Sequence, residues 1–291
     1  MWRPIRGGCR RAGAAFALLL AAGIGAASAG VRQAPAADSP DYAKIFGRAY
    51  AAALEFVGRH PEADAIFRDW DIPAAFSWAI VFPELIRYSA LADVLETGNL
   101  KVLYVQFGRG YGDFSVGHIQ MKPSFAESLE RDFLRLADDG DRGRIAGEPF
   151  NRADTLEARR ARARRLTDVA GQARYLAMFI RVLDKLSAGE TWDREEAKLR
   201  FYATAYNAGY RLSAARLRKE MTVPRFHTGL FAGKDVYVYA DIAADYFRKR
   251  DGEGSDRGRS HAAVPPPKPA ARSASPGAGP SGRGSGARSG S

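Results

Sequence analysis

Apolar side chains recur at helical spacing through most of residues 41–250. Within residues 41–58, Ile45, Tyr50, Leu54 and Val57 fall at this spacing, which predicts a helix. Residues 100–107 fit a strand and a helix equally well. Further helices are predicted over residues 62–70, 73–96 with an interruption at Pro83, 123–138, 153–186, 194–208 and 235–249. The pattern therefore predicts a mainly α chain with little β structure.

The predicted helix over residues 123–138 has its own start signal. It opens with Pro123 and Ser124, and Glu127 stands three residues after Ser124. This spacing is typical of a capping box, in which the two side chains satisfy free main-chain N–H groups at the start of a helix.

Composition changes at both ends of the helical region. Residues 1–29 join a basic segment, an apolar run and the small residues Ala-Ser-Ala. This order predicts a cleaved secretory signal peptide, with a single anchoring helix as the alternative. Residues 30–40 are interpreted as a linker. Residues 251–291 consist mostly of Gly, Ser, Pro, Ala and Arg, a composition that buries too little apolar surface to fold. We predict a single domain over residues 41–250, followed by a disordered basic tail.

The net charge of +11 is spread unevenly along the chain. Residues 1–29 carry +4 and residues 251–291 carry +3, so only +4 remains on residues 30–250. The domain is therefore too weakly basic to predict nucleic-acid binding from charge alone. The run Arg-Arg-Ala-Arg-Ala-Arg-Arg at residues 159–165 is interpreted as a solvated helix face. A nucleic-acid-binding protein is the weakest alternative, and we expect no nucleic-acid partner.

Glu84 is the first candidate for chemistry. It stands in the segment Ser-Trp-Ala-Ile-Val-Phe-Pro-Glu-Leu-Ile at residues 77–86, which is apolar on every helical face and so predicts burial. Burial raises the pKa of a carboxyl group, as a general acid near neutral pH requires. The structural alternative places Pro83 in the first turn of a helix, where Glu84 would only complement the helix dipole.

A second candidate segment covers residues 113–123. Gln120 offers both a donor and an acceptor to a ligand, and Gly117 would let a backbone or a sugar approach closely. The alternative is a turn followed by a short helix. His118 is interpreted as a satisfied surface or core histidine. No second His or Cys stands at metal-ligand spacing, so we expect no metal ion and no cofactor.

The third segment is Phe-Tyr-Ala-Thr-Ala-Tyr-Asn-Ala-Gly at residues 201–209. Gly209 is typical of a left-handed helix stop. The Tyr206 hydroxyl and the Asn207 amide still need hydrogen-bond partners in so apolar a helix. The segment is therefore either a helix end or one side of an active site.

Taken in order, these motifs resemble those of the soluble lytic transglycosylases, lysozyme-like enzymes that cleave the glycan of bacterial peptidoglycan. The family's catalytic Glu corresponds to Glu84, and its Gly-Leu-Met-Gln…Met-Pro segment to Gly-His-Ile-Gln-Met-Lys-Pro at residues 117–123. The family's Tyr-Leu pair corresponds to residues 175–176, and its Ala-Tyr-Asn-Ala-Gly segment to residues 205–209. The resemblance covers about residues 70–250 and implies a lysozyme-like single catalytic domain.

The resemblance also implies roles for individual residues. Glu84 would protonate the glycosidic oxygen between N-acetylmuramic acid and N-acetylglucosamine. It would then act as base on the muramyl 6-hydroxyl and close a 1,6-anhydro ring. Gln120 and the main chain around Met121 would hold an acetamido group. Tyr206 would point at Glu84 and form a hydrogen bond near it, and Asn207 would hold a loop or the glycan.

The implied scheme uses one carboxyl group for both proton transfers, unlike the paired carboxylates of most glycosidases. Asp113 is the nearest candidate for a second carboxylate. The implied partner is the peptidoglycan glycan strand. The signal peptide then favours export across the inner membrane to the periplasm. The basic tail could contact anionic cell-wall polymers or a membrane surface.

Three features depart from the family pattern. Leu85 follows Glu84 where the family has Ser, His118 and Ile119 replace a Leu-Met pair, and residues 90–112 form an insert. These departures leave two alternatives open: a non-catalytic peptidoglycan-binding scaffold on the same fold, and a hydrolytic muramidase.

Overall fold

Helices form nearly all the regular secondary structure in the computed structural model, which describes residues 40–91, 104–108, 113–147, 150, 154–228 and 235–261. In these ranges the helices are α1 (Tyr42–Phe46), α2 (Arg48–Arg59), α3 (Pro61–Asp69), α4 (Ala74–Leu91), α5 (Pro123–Leu136), α6 (Asp139–Arg144), α7 (Leu156–Thr167), α8 (Val169–Leu186), α9 (Glu195–Ala208), α10 (Ala214–Glu220) and α11 (Tyr239–His261). Two isolated antiparallel bridges join Val116 to Met121 and Phe226 to Tyr237. The prediction of a mainly α chain with little β structure is confirmed.

Two of the predicted helices are each divided in two. Gly47 separates α1 from α2 with φ 50°, a conformation that glycine adopts without steric cost. Asp168 separates α7 from α8, and its carboxylate accepts a hydrogen bond of 2.8 Å from the N–H of Gly171. Residues 104–107, which fitted strand and helix equally well, are helical.

The buried face of α2 differs from the spacing seen in the sequence. Tyr50, Ala53 and Val57 are buried, which places three positions of one helical stripe against α4. Ile45 and Leu54 are 44% and 40% exposed. The break at Gly47 changes the phase of the helix, so Ile45 does not share a face with Tyr50.

Helix α4 lies at the centre of one group of helices, packed against α2, α9 and α11. All of its residues from 76 to 86 are buried, as the apolar character of every helical face predicted. Helix α8 is the centre of a second group and packs against α3, α5 and α7. Residues of both groups line the candidate site described below.

Pro83 lies inside α4 and not in its first turn. The explanation of Glu84 as a residue that merely complements a helix N-terminus is therefore wrong. A proline inside a helix cannot donate to the carbonyl four residues earlier, and here that carbonyl belongs to Ala79. Pro83 therefore has no role in starting α4.

The start of α5 is capped from a distant segment, so the predicted capping box is wrong. The Asp113 carboxylate accepts hydrogen bonds from the main-chain N–H of Ser124 at 2.9 Å and from its hydroxyl at 2.8 Å. Glu127 is buried instead of reaching back to the helix start, and it accepts a hydrogen bond of 3.0 Å from the Tyr104 hydroxyl.

The arginine run on α7 is not a fully solvated face, which corrects the sequence interpretation. Arg162 and Arg165 are 4% and 9% exposed. Arg162 donates to Glu130 at 2.6 Å and 3.1 Å, and Arg165 donates to the same carboxylate at 3.0 Å. The Tyr175 hydroxyl also donates to Glu130. Both arginines are therefore held inside the domain by α5 and α8.

The last helix continues to His261, so the domain boundary predicted at residue 250 falls within a helix. The predicted signal peptide, the linker up to residue 39 and residues 262–291 of the predicted tail lie outside the described residues, as do residues 92–103 and 109–112 of the insert. No helix in the described ranges is long and apolar enough to cross a membrane.

Candidate active site

The carboxyl group of Glu84 is buried at the edge of a cavity. Glu84 is 5% exposed, because it lies in the middle of α4 between Phe82, Leu85 and Ile86, all of which are buried. Burial raises the pKa of this carboxyl from its usual 4.5 to about 7. A substantial fraction of Glu84 is therefore protonated near pH 7, as a general acid requires.

Arg87 contacts this carboxyl directly. Its Nη1 donates to the two oxygens of Glu84 at 3.0 Å and 3.3 Å. The positive charge acts against burial and lowers the pKa of Glu84, but burial has the larger effect. Arg87 is itself fixed, because its Nε donates to the His227 carbonyl at 2.9 Å and its guanidinium lies 4.3 Å from the centre of the Phe226 ring.

Two tyrosines approach Glu84 from α9 and α11. Burial, together with the negative charge of Glu84, raises the pKa of Tyr206 and Tyr239 well above the usual 10. The Tyr206 hydroxyl donates to the Ile119 carbonyl at 2.8 Å, and the Tyr239 hydroxyl donates to the Ile80 carbonyl at 3.0 Å. Tyr206 thus lies near Glu84, but the hydrogen bond expected of it goes to the main chain of the 117–121 turn.

Gln120 and Met121 are presented by this tight turn. Val116 and Met121 exchange two main-chain hydrogen bonds of 3.0 Å and 3.1 Å. Between them Gln120 adopts φ 53°, which is uncommon outside glycine. Its side-chain Nε2 donates to the Gly117 carbonyl at 2.8 Å, so the Gln120 amide is held in place. The bond from Tyr206 to Ile119 fixes the turn against α9.

A cavity of about 380 Å³ connects these residues. Five of the seven predicted site residues line it: Glu84, Gln120, Met121, Tyr206 and Asn207. Asn207 is exposed at the end of α9. Gly209 ends that helix with φ 113° and ψ 115°, and its N–H donates to the Ala205 carbonyl. Its torsions lie outside the left-handed helical region that the sequence interpretation assigned to it.

Asp113 and Gly117 do not line this cavity. The carboxylate of Asp113 caps α5, which accounts for it structurally, and it reaches the cavity only through Ser124, a lining residue that donates to it. A Cβ atom added to Gly117 would lie 1.4 Å from Gln172 Nε2 and 2.5 Å from the Leu166 carbonyl oxygen. Glycine is therefore required for packing against the α7–α8 junction, and the close approach predicted for it is made by the protein itself.

His118 does not line the cavity, and its ring centre lies 4.3 Å from that of Phe56 and 4.4 Å from that of Tyr88. Its Nδ1 has no hydrogen-bond partner among the described residues, and burial lowers its pKa. His118 is therefore packed against other side chains, as predicted, but its Nδ1 is not satisfied by a hydrogen bond among the described residues. No group of three His, Cys, Asp or Glu side chains that could hold a metal ion occurs in the described ranges.

Comparisons with protein-family models, curated proteins and solved structures found no match to this chain. The geometry of the site must therefore support any assignment by itself.

Some lining residues were not predicted from the sequence. Arg87, Lys122 and Arg211 add positive charge to the cavity, and Ser115 and Ser128 add hydroxyl groups. Arg87 could have been found, because a residue three positions after Glu84 shares its helix face. Nothing in the local sequence indicates that Arg211 lies in the same cavity.

Proposed function

We propose that the Glu84 cavity is the active site of a peptidoglycan lytic transglycosylase, in a divergent lysozyme-like domain. One observation carries the proposal. The buried carboxyl of Glu84, with a pKa of about 7, shares a cavity with Gln120 and Met121 from a second motif and with Tyr206 and Asn207 from a third. In the family that the motifs resemble, these motifs appear in the same order.

The proposed reaction uses the two protonation states of Glu84 in turn. The neutral carboxyl gives its proton to the glycosidic oxygen as the bond from this oxygen to muramyl C1 breaks. The resulting carboxylate accepts the proton of the muramyl 6-hydroxyl, and the 6-oxygen bonds to C1. The ring closes without added water, and Glu84 regains its proton. A pKa near 7 suits both steps, because neither protonation state is strongly disfavoured.

Other side chains have supporting roles in this scheme. Arg87 stabilises the carboxylate that exists between the two proton transfers, since it donates to both oxygens. The Gln120 amide and the main chain around Met121 are fixed in geometry, as the binding of an acetamido group requires. Asn207 is exposed on the cavity edge, where it would contact the glycan. Because this substrate lies outside the inner membrane, the proposal includes export to the periplasm through the N-terminal signal.

The test compares wild type with Glu84→Gln on purified sacculi, with the products analysed by mass spectrometry. We expect wild type to release 1,6-anhydro-muropeptides and Glu84→Gln to lose at least about a hundredfold in rate, as removal of an acid–base group predicts. Glu196→Gln is the matched control, because Glu196 pairs with Arg248 at the surface and does not line the cavity.

Three results would contradict the proposal in different ways. Equal release by wild type and Glu84→Gln would remove Glu84 from catalysis. Products with ordinary reducing ends would indicate a hydrolytic muramidase. Binding to sacculi without release of any product would indicate a non-catalytic scaffold.

A further inference from the structure

A second cavity adjoins the Glu84 cavity. It has a volume of about 430 Å³ and shares Asn207 and Ala208 with the first cavity. Residues of α9, α10 and α11 line it, together with Val223 and Arg225 from the segment after α10. A ligand bound beside Glu84 could therefore extend past Asn207 into this second space.

The chemistry of the second cavity is dominated by two arginines around one acid. Glu220 is 9% exposed, and its two oxygens accept from Arg216 at 2.7 Å and from Arg225 at 2.9 Å. The side chains of Arg216 and Arg225 are 56% and 59% exposed. Two guanidinium groups thus share one carboxylate. Each guanidinium carries five N–H donors, so donors and one positive charge are left for a ligand.

The first cavity has the same charge sign. Arg87, Lys122 and Arg211 line it, and Glu84 is the only carboxylate among its lining residues. That carboxylate is buried and paired with Arg87. Arg211 is also paired, with the buried Asp132 at 2.8 Å, so Lys122 supplies the remaining positive charge of the first cavity, although the sequence from 30 to 250 is only mildly basic. A concave surface of one charge sign attracts ligands of the opposite sign.

The substrate proposed above has a matching negative part. The sugar rings of a peptidoglycan strand are uncharged, but each peptide branch on N-acetylmuramic acid carries free carboxylates. Planar guanidinium groups bind carboxylates through paired hydrogen bonds.

We propose that the second cavity is a carboxylate-binding site that receives the peptide branch of a strand whose glycan lies beside Glu84. This inference rests on the proposed function and specifies its substrate: strands that carry peptides, in preference to strands that have been stripped of them. Arg216 and Arg225 are the residues that determine this specificity.

A binding experiment on the full chain tests the site without requiring turnover. The probe is the tripeptide L-Ala-γ-D-Glu-diaminopimelate, followed by calorimetry at low ionic strength, with the fully amidated tripeptide as the control ligand. We expect the Arg216→Gln/Arg225→Gln double variant to bind the acid form about five- to tenfold more weakly, as the loss of two exposed charge contacts predicts. Arg218→Gln is the matched control on α10, since Arg218 pairs with Glu190 and does not line the cavity.

Glu220→Gln provides a variant with the opposite expected effect. It frees both arginines from their internal partner, so we expect it to bind the tripeptide about two- to threefold more tightly. A purely structural role for the three residues would weaken binding in every variant. Glu220→Gln also keeps the site testable if the double variant does not fold.

Activity provides the second measurement. Wild type should cleave peptide-bearing strands faster than amidase-stripped strands, and the double variant should lose most of this difference. Unchanged tripeptide affinity in the double variant would overturn the proposed carboxylate-binding site. Displacement of the tripeptide by an equal concentration of inorganic phosphate would overturn it as well. Failure of the proposed function is distinguishable, because it is measured by the products that wild type and Glu84→Gln release from sacculi, whatever the tripeptide affinities.

Discussion

Arg87 donates to both carboxylate oxygens of Glu84 from one turn further along the same buried helix. This contact opposes the effect of burial, which raises the pKa of Glu84 to about 7. The pair therefore sets how readily Glu84 gives up and recovers its proton. Leu85, the residue next to Glu84, is 1% exposed and apolar, so it has no polar group to offer the carboxyl.

Replacing Arg87 should move the pH dependence of the reaction. Arg87→Gln removes the charge that lowers the pKa of Glu84, so the carboxyl should stay protonated to higher pH. We expect the alkaline limb of the kcat/KM profile to move upward by about one pH unit. Titration of ¹³C-labelled glutamate by NMR should show the same shift without any turnover.

Arg87→Lys is the control for this experiment. It keeps a positive charge but cannot reproduce the planar arrangement of donors toward Glu84 and the His227 carbonyl. It should give a smaller shift than Arg87→Gln. An unchanged Glu84 titration in both variants would show that Arg87 does not set the protonation of Glu84.

Burial of Glu84 should also make stability depend on pH. The pKa of Glu84 is raised on folding, so the native state binds this proton more tightly than the unfolded state does. The stabilisation is fully present below pH 4.5 and is lost as pH rises through about 7. Glu84→Gln removes this dependence, so its free energy of unfolding should gain on wild type by about 3 kcal/mol between pH 4 and pH 8.

Urea unfolding at several pH values measures this gain. Glu84→Asp is the control, because it keeps a titrating carboxyl at the site and should retain the decline in stability with pH. A constant difference between Glu84→Gln and wild type across this range would mean that Glu84 titrates normally in the folded protein.

The sequence predicted local features of the site better than its long-range contacts. The burial of Glu84 followed from an apolar run that leaves no polar helix face, and the run is continuous in the chain. The C-terminal end of α9 at Gly209 and the turn around Gln120 are also indicated by residues within the same short segments. These features depend on neighbouring residues, and five of the residues that line the Glu84 cavity were among those predicted.

The errors arose where a side chain finds its partner far along the chain. Asp113 caps α5 at a separation of 11 residues, and local spacing indicated Ser124 and Glu127 instead. Arg162 reaches Glu130 across 32 residues. Within the arginine run itself, nothing distinguishes the buried Arg162 from the exposed Arg160 or Arg164. Such pairings are set by helix packing, which periodicity in one segment does not specify.

Gly117 should tolerate no side chain, although it does not line the cavity. Gly117→Ala would place a Cβ atom 1.4 Å from Gln172 Nε2 and 2.5 Å from the main-chain oxygen of Leu166, at a φ of 71°. The Gln172 side chain could move, but the Leu166 main chain could move only with the α7–α8 junction. We expect a loss of more than about 3 kcal/mol in the free energy of unfolding.

Gly143→Ala is the matched control for Gly117→Ala. Gly143 lies in α6, and a Cβ atom added there meets nothing within 4 Å. Because alanine loses less chain entropy than glycine in a helix, this variant should be stabilised by about 0.5 kcal/mol. Chemical denaturation of both variants checks the contrast. Similar stabilities for the two would mean that the 117–121 turn is not packed against Gln172.

The buried arginines on α7 should depend mainly on the carboxylate of Glu130. Glu130 is 2% exposed and accepts hydrogen bonds from Arg162, Arg165 and Tyr175. Glu130→Gln would remove the carboxylate partner of Arg165 and would leave Arg162 only its longer contact of 3.4 Å with the buried Glu127. Removing one partner of a buried ion pair typically costs about 3–5 kcal/mol, and we expect a loss of this size in urea unfolding.

Arg164→Gln tests whether the cost comes from burial or from any change in the run. Arg164 is exposed on the same helix, so its replacement should change the free energy of unfolding by less than about 0.5 kcal/mol. If Glu130→Gln cost no more than Arg164→Gln, Arg162 and Arg165 would have to be solvated. The run at 159–165 would then be available to an external polyanion. A large difference between the variants would instead mean that Arg162 and Arg165, two of the five arginines in the run, stabilise the packing of α5, α7 and α8.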